Sequence, residues 1–128
     1  MATVLITSAA AAIALASTNA GPDEDRAPPA LQACGTPGAP PCPLQAWMRA
    51  NLGAPLAANK MAALADGLDR AAALSPDPAW SSWATFALNG AQAARKGDIA
   101  GARAACKGCH DTWRGPYKAK YRTRPIPR

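Results

Sequence analysis

Cys106-Lys107-Gly108-Cys109-His110 gathers two of the chain's four cysteines and its only histidine into five consecutive positions. Thiols and an imidazole ligate metals, exchange disulfides or add to activated double bonds, so chemistry is to be sought here first. On an α-helix, at roughly 100° per residue, His110 lies ~40° and Cys109 about −60° from Cys106. All three side chains then share one face.

Three chemistries use such a set. A thiol–disulfide oxidoreductase carries Cys-x-x-Cys beside a βαβ unit, and no strand pattern is evident in this chain. A structural zinc site takes four ligands, usually in two close pairs. Here the set would be Cys106, Cys109, His110 and one of Cys34 or Cys42, and the last two are spaced too widely for a knuckle. Cys-x-x-Cys-His on one helical face is the spacing of covalent c-type haem attachment. Each thiol adds to a vinyl group on one porphyrin edge, and the histidine is held under the ring to bind iron. Gly108 as a spacer leaves the backbone free to lie against the haem edge. The motif therefore points to one haem c, with Cys106 and Cys109 as thioether links and His110 as proximal ligand.

With no second histidine, bis-histidine ligation within one chain is excluded. Met48 and Met61 are the thioether candidates for the opposite axial position, Met1 being expected to leave with the N-terminal segment. A Met/His pair raises the reduction potential and suits electron transfer. Met61 also falls in a stripe with Leu64 and Leu68, where plain core packing would account for it. Rise per residue does not choose between the two methionines.

The elements that must hold these residues read as helices. Ala, Leu and Gly dominate and β-branched residues are scarce, which favours helix over strand. Pro43 suits the first turn of a short helix, LQAWMRAN, ended near Gly53-Ala54-Pro55. A second is expected from about Pro55 to Leu74, with Ala57, Met61, Leu64, Leu68 and Ala71 at steps of three and four. Asp77 as N-cap and Pro78 behind it open a third, carrying Trp80, Ala84, Ala87, Ala91 and Ala94 on one side and stopping at Gly97. Asp98 caps a fourth that contains the motif, and Gly115-Pro116 is expected to kink or interrupt it. The fold class is thus all-α, a small up-and-down bundle of four helices, the first short, around a covalently attached haem. Alanine buries little area per residue, so such a core is incomplete by itself.

Residues 1–20, with an apolar centre and small residues near the end, read as a signal peptide, although no Lys or Arg precedes Arg26. Export, for instance to a periplasm, is expected, with no lasting membrane association. Residues 21–42 form a Pro/Gly-rich linker. Seven residues separate Cys34 from Cys42, and in an exported chain such a pair is expected to form a disulfide. Residues 43–128 make the haem-binding bundle and a basic C-terminal tail.

The formal charge is +6. From Asp98 to Arg128 eight basic residues face only Asp98 and Asp111, so this stretch carries the excess. It suits an acidic redox partner protein, or a solvated helix face with a frayed tail. Arg114 or Lys118 would then lie near haem propionates. Nucleic acid is a poor fit, because aromatic and basic residues do not alternate as a stacking groove requires. Nothing around the motif forms an acid/base pair or an activated nucleophile, so no enzyme is expected. Trp47, Trp80, Trp83 and Trp113 are expected to pack against haem or core.

A helical bundle whose last helix carries Cys106-Lys107-Gly108-Cys109-His110, followed by Asp111-Thr112-Trp113-Arg114, resembles the class II c-type cytochromes, the cytochrome c′-like group. The resemblance covers residues 43 to 123. It implies a four-helix bundle and, by analogy with low-spin members that draw a methionine from the first helix, Met48 as distal ligand. The function so implied is single-electron transfer at a His/Met-ligated haem. Two alternatives stand beside it: a five-coordinate iron that binds nitric oxide or carbon monoxide, as in high-spin cytochromes c′, and a haem-free, zinc-stabilised interaction module.

Overall fold

The computed structural model describes residues 34 to 127. The expected signal peptide and most of the linker lie outside the described residues. Every regular element within them is helical. A first arm consists of α1 (Pro43–Met48), a π-helical turn (Arg49–Gly53) and α2 (Ala54–Ala57). Then follow α3 (Met61–Ala72), α4 (Ser82–Arg95) and α5 (Ile99–Lys120). The chain is all-α at this level, as its composition implies. None of these helices is long and apolar enough to cross a membrane.

The first helix does not stop at Gly53-Ala54-Pro55. Ala54 N–H donates to Arg49 O, five residues back, and this wider turn loosens the ladder where Pro55 has no N–H to give. Pro55 sits in the first turn of α2, where a missing donor costs little. The arm ends instead at Asn59, whose φ is 54°. Asn59 N–H donates to Leu56 O at 3.3 Å and Lys60 N–H to Pro55 O at 2.8 Å. That is a Schellman closure with asparagine in the left-handed position.

The third helix also starts later than Asp77 and Pro78 suggest. Asp77 does cap a turn, its Oδ1 accepting from Ala79 N–H at 2.9 Å, but α4 begins only at Ser82. The intervening residues leave helical register and bury the Trp80 ring against Trp83 and Trp113. At the other end the expected stop and cap are present. Gly97 has φ 71°, and Gly101 N–H donates to Asp98 Oδ1 at 2.8 Å. Asp98→Ala is expected to cost about 1 kcal/mol, measured by denaturant unfolding.

Gly115-Pro116 does not interrupt the last helix: α5 runs through it to Lys120. A residue before proline resists helical geometry partly because its Cβ meets the proline ring, and Gly115 has none. Beyond Pro116, Tyr117 and Tyr121 pack into an aromatic cluster that holds the last turns in place. The chain after α5 is not frayed in its first part. Arg124 donates to Leu74 O at 3.0 Å, Tyr121 OH to Asp77 Oδ2 at 3.2 Å, and Ile126 packs on the same cluster.

α4 and α5 are antiparallel in close register. Ala93 meets Gly101, Gly90 meets Ala105, Phe86 meets Gly108, and Trp113 Nε1 donates to Ser82 Oγ at 3.2 Å. α3 runs antiparallel to α4, with Trp83 Nε1 donating to Ala71 O at 2.8 Å near one end. The buried side chains divide into two groups. One is small, centred on Leu64, Ala65, Leu68, Ala91, Ala94 and Ala102. The other is aromatic, around Leu44, Leu74, Trp80, Trp83 and Tyr117.

Candidate functional site

α5 carries the motif past the junction between these two groups. Cys106, Cys109 and His110 line one wall of an apolar cavity of about 150 Å³, opposite Met48, Leu52 and Leu56 of the first arm, with Leu68, Trp83 and Phe86 between. Cys109 and His110 also line a second, larger cavity of about 480 Å³. Met48 and Trp83 belong to both. The larger one extends along the C-terminal half of α5 to Trp113, Arg114, Tyr117 and Lys118, and is walled on its far side by the loop closed at Cys34 and Cys42.

Gly108 is required where it stands, though for a contact other than the expected one. A Cβ there would lie 2.8 Å from the Phe86 ring, so the glycine lets α5 seat against α4 and aims its neighbours into the cavity. Trp47 lies off the aromatic cluster's centre, 5.6 Å under the Arg70 guanidinium. Arg70 in turn donates to Asn51 Oδ1 at 2.7 Å, which ties the first arm to α3.

The cysteines fall into two kinds. Cys34 and Cys42 form the expected disulfide, with Cα atoms 4.8 Å apart. Both are buried, and Cys42 also opens α1, its N–H donating to Gln45 Oε1 at 3.3 Å. Cys106 and Cys109 are free thiols. Burial pushes the Cys109 thiol up to about 11, with the neighbouring Cys106 adding to the effect. Burial raises Cys106 too, against an opposing backbone hydrogen bond. Both therefore stay protonated at neutral pH. Dithiol exchange calls for the reverse, a depressed thiol pKa.

His110 presents an exposed edge to solvent, but desolvation of the rest of the ring lowers its pKa, with Arg114 contributing in the same direction and Asp111 against it. The ring is held neutral, with a lone pair free for a metal. Among the described residues no group of three or more His, Cys, Asp or Glu converges to hold a metal ion. The fourth ligand a zinc site would have drawn from Cys34 or Cys42 is committed to the disulfide.

Of the two methionines, Met48 shares both cavities with His110, whereas Met61 packs against the small core with Leu64 and Leu68. Arg114 and Lys118 line the larger cavity, as does Arg49 of the first arm. Arg49, Phe86 and Tyr117 were not marked by sequence reasoning. Tyr117 could have been, since it follows His110 by seven residues and so falls on its face. Comparison of the chain with protein-family models, curated proteins and solved structures gives no match.

Proposed function

We propose that this chain is an exported monohaem c-type cytochrome that carries single electrons. One observation carries the reading: two thiols and a histidine at attachment spacing line a pair of adjoining cavities whose other wall presents Met48. The residues present fit the group. The smaller cavity is almost wholly apolar, the larger reaches cationic side chains, and both thiols are protonated and free. Cys106 and Cys109 would hold the porphyrin covalently, His110 would be the proximal ligand and Met48 the distal one. Haem bound there supplies one-electron iron chemistry at a potential set by its axial ligands and burial.

The chain's own residues do the rest. Leu52, Leu56, Leu68 and Phe86 line the smaller cavity and would exclude water from a group held there. Trp83 Nε1 is held on Ala71 O, which fixes its ring as a wall shared by both cavities. Arg114 and Lys118 are exposed at the edge of the larger cavity, where they favour an acidic redox partner. Lys107 contributes less to that field because it pairs with Asp111 one turn on. A disulfide at Cys34–Cys42 agrees with an oxidising, extracytoplasmic location.

The test is the visible spectrum of protein exported from a strain with c-type haem maturation, oxidised and reduced, with and without carbon monoxide. Covalent haem bands of low-spin type, unmoved by carbon monoxide, are expected. Met48→Ala should open the iron, giving a high-spin spectrum that shifts with carbon monoxide, while Met61→Ala should leave it low-spin. A wild-type spectrum already high-spin and shifted by carbon monoxide would replace electron transfer with gas binding. A colourless protein would end the haem reading.

A further inference from the structure

The chain has four tryptophans and two tyrosines, and five of these six rings form one contiguous array. Trp113, half-buried on α5, lines the larger cavity. It stacks on Trp80 with centroids 4.5 Å apart and planes 12° from parallel. Trp80, 9% exposed, meets Tyr121 edge to face at 5.5 Å. Tyr121 OH donates to Asp77 Oδ2 at 3.2 Å, and both residues are half-buried. Three rings in contact thus lead from a cavity wall to a phenol that bears a carboxylate.

The two tyrosines differ at the hydroxyl. Tyr117 is buried beside Trp83 and Tyr121, with centroids at 6.0 and 6.1 Å, but its hydroxyl has no hydrogen-bond partner among the described residues. Packing accounts for stacked and edge-on rings around either residue. Only Tyr121 is also given a proton acceptor.

Indoles and phenols yield single electrons to strong oxidants, at potentials well above that of haem iron held by Met and His. The array is therefore no path for a haem's ordinary electron. An oxidised phenol is a strong acid, and its proton needs a base within about 2.6–3.2 Å, or the electron returns. We propose that Trp113, Trp80 and Tyr121 form a relay that drains one-electron oxidising equivalents from the wall of the larger cavity. Trp113 gives an electron to the oxidant, Trp80 refills Trp113, and Tyr121 refills Trp80. As that last electron leaves, the Tyr121 O–H bond breaks and its proton passes to Asp77 Oδ2. The balance is one electron gained by the oxidant, a neutral tyrosyl radical at Tyr121 and a protonated Asp77. Tyr117 has no acceptor for its proton, so the oxidising equivalent does not settle there. What the relay spares is the oxidisable lining of the same cavity, the sulfur atoms of Cys109 and Met48. It needs only the rings and Asp77, and it stands apart from the haem reading.

The test generates ruthenium(III) tris-bipyridine by light beside the full chain in its oxidised form, with persulfate as terminal electron acceptor. The sample is then frozen and its protein radicals are read by electron paramagnetic resonance. A tyrosyl signal that Tyr121→Phe abolishes and Tyr117→Phe leaves in place is expected. Trp113→Phe should cut it several-fold, because phenylalanine cannot serve as the entry ring. Asp77→Asn should cut it as far. Its amide oxygen can keep the bond from Ala79 N–H, 2.9 Å in the wild type, while its NH2 faces the phenol and takes no proton. A wild type without tyrosyl signal, or with one lost in Tyr117→Phe, overturns the relay. So does a signal at full strength in Trp113→Phe, which would mean direct oxidation at the surface. Should Trp113→Phe fail to fold, Asp77→Asn decides, and an undiminished signal there overturns the relay equally.

Discussion

Replacing Cys106 and Cys109 together with alanine is expected to end covalent haem retention and to yield, after haem removal, a chain that melts roughly 15–30 °C lower than the holoprotein. The estimate follows from the hole left behind. An apolar cavity costs ~24 cal/mol per Å³ when it stands empty. For the 150 Å³ cavity between α5 and the first arm that amounts to ~3–4 kcal/mol. Domains of this size have only ~5–15 kcal/mol in total. The larger cavity is left out of this figure because charged side chains, Arg49, Arg114 and Lys118, form part of its lining. Circular dichroism at 222 nm with a thermal ramp would check it. Unchanged helicity and melting in the haem-free double variant would show that the core is self-sufficient, and would remove the structural case for a cofactor.

The second large effect is expected at Gly67. A Cβ there would lie 2.3 Å from Asn51 O and 2.8 Å from Leu52 Cδ2. The first contact is with backbone and cannot be relieved by a rotamer change, so the arm must move away from α3. Alanine is otherwise preferred to glycine inside a helix by ~1 kcal/mol. Overpacking of this kind costs ~1–3 kcal/mol, and the Arg70–Asn51 hydrogen bond at 2.7 Å would be stretched as well. The clash therefore wins, and Gly67→Ala should lower unfolding stability by about 1–2 kcal/mol net. Because the same arm carries Met48 and Leu52, carbon monoxide should gain access to the haem in this variant. A more stable, carbon monoxide-insensitive Gly67→Ala protein would mean that the arm does not approach α3 as closely as described.

The parts of the fold written in short-range residue chemistry were legible beforehand. Gly97 and Asp98 mark the turn between α4 and α5 by what glycine and aspartate do locally, and Cys34 and Cys42 are close enough in sequence to pair whatever surrounds them. Both prolines misled for one reason. Pro55 and Pro116 are helix breakers as isolated residues, but a wider turn accommodates the first, and Gly115 together with the packing of Tyr117 and Tyr121 accommodates the second. Neither compensation is a property of the proline itself. The start of α4 failed similarly, since Trp80 is drawn out of helical register by its partners at 83 and 113.

The candidate site divides along the same line. Cys106, Cys109 and His110 lie within five residues on one helix, so their convergence needs no tertiary knowledge. Met48 could be preferred to Met61 only by resemblance, because which one faces His110 depends on how the first arm crosses α3. Arg49, Phe86 and the unpaired hydroxyl of Tyr117 are visible only once packing has closed around them.

The register between α4 and α5 also bears on the order of assembly. The pairs 93/101, 90/105, 86/108 and 82/113 are joined through a three-residue turn, so the innermost contacts close very short loops. Loop closure of that size takes ~10–100 ns, and local contacts of this kind favour rapid folding. The helical hairpin bearing the thiols and histidine is therefore expected to form first. The first arm, which packs more sparsely, would dock after it. A nascent chain would then show its attachment face on a preformed, half-open hairpin, accessible to whatever machinery delivers the cofactor, and the arm would shut over it as the last event of maturation.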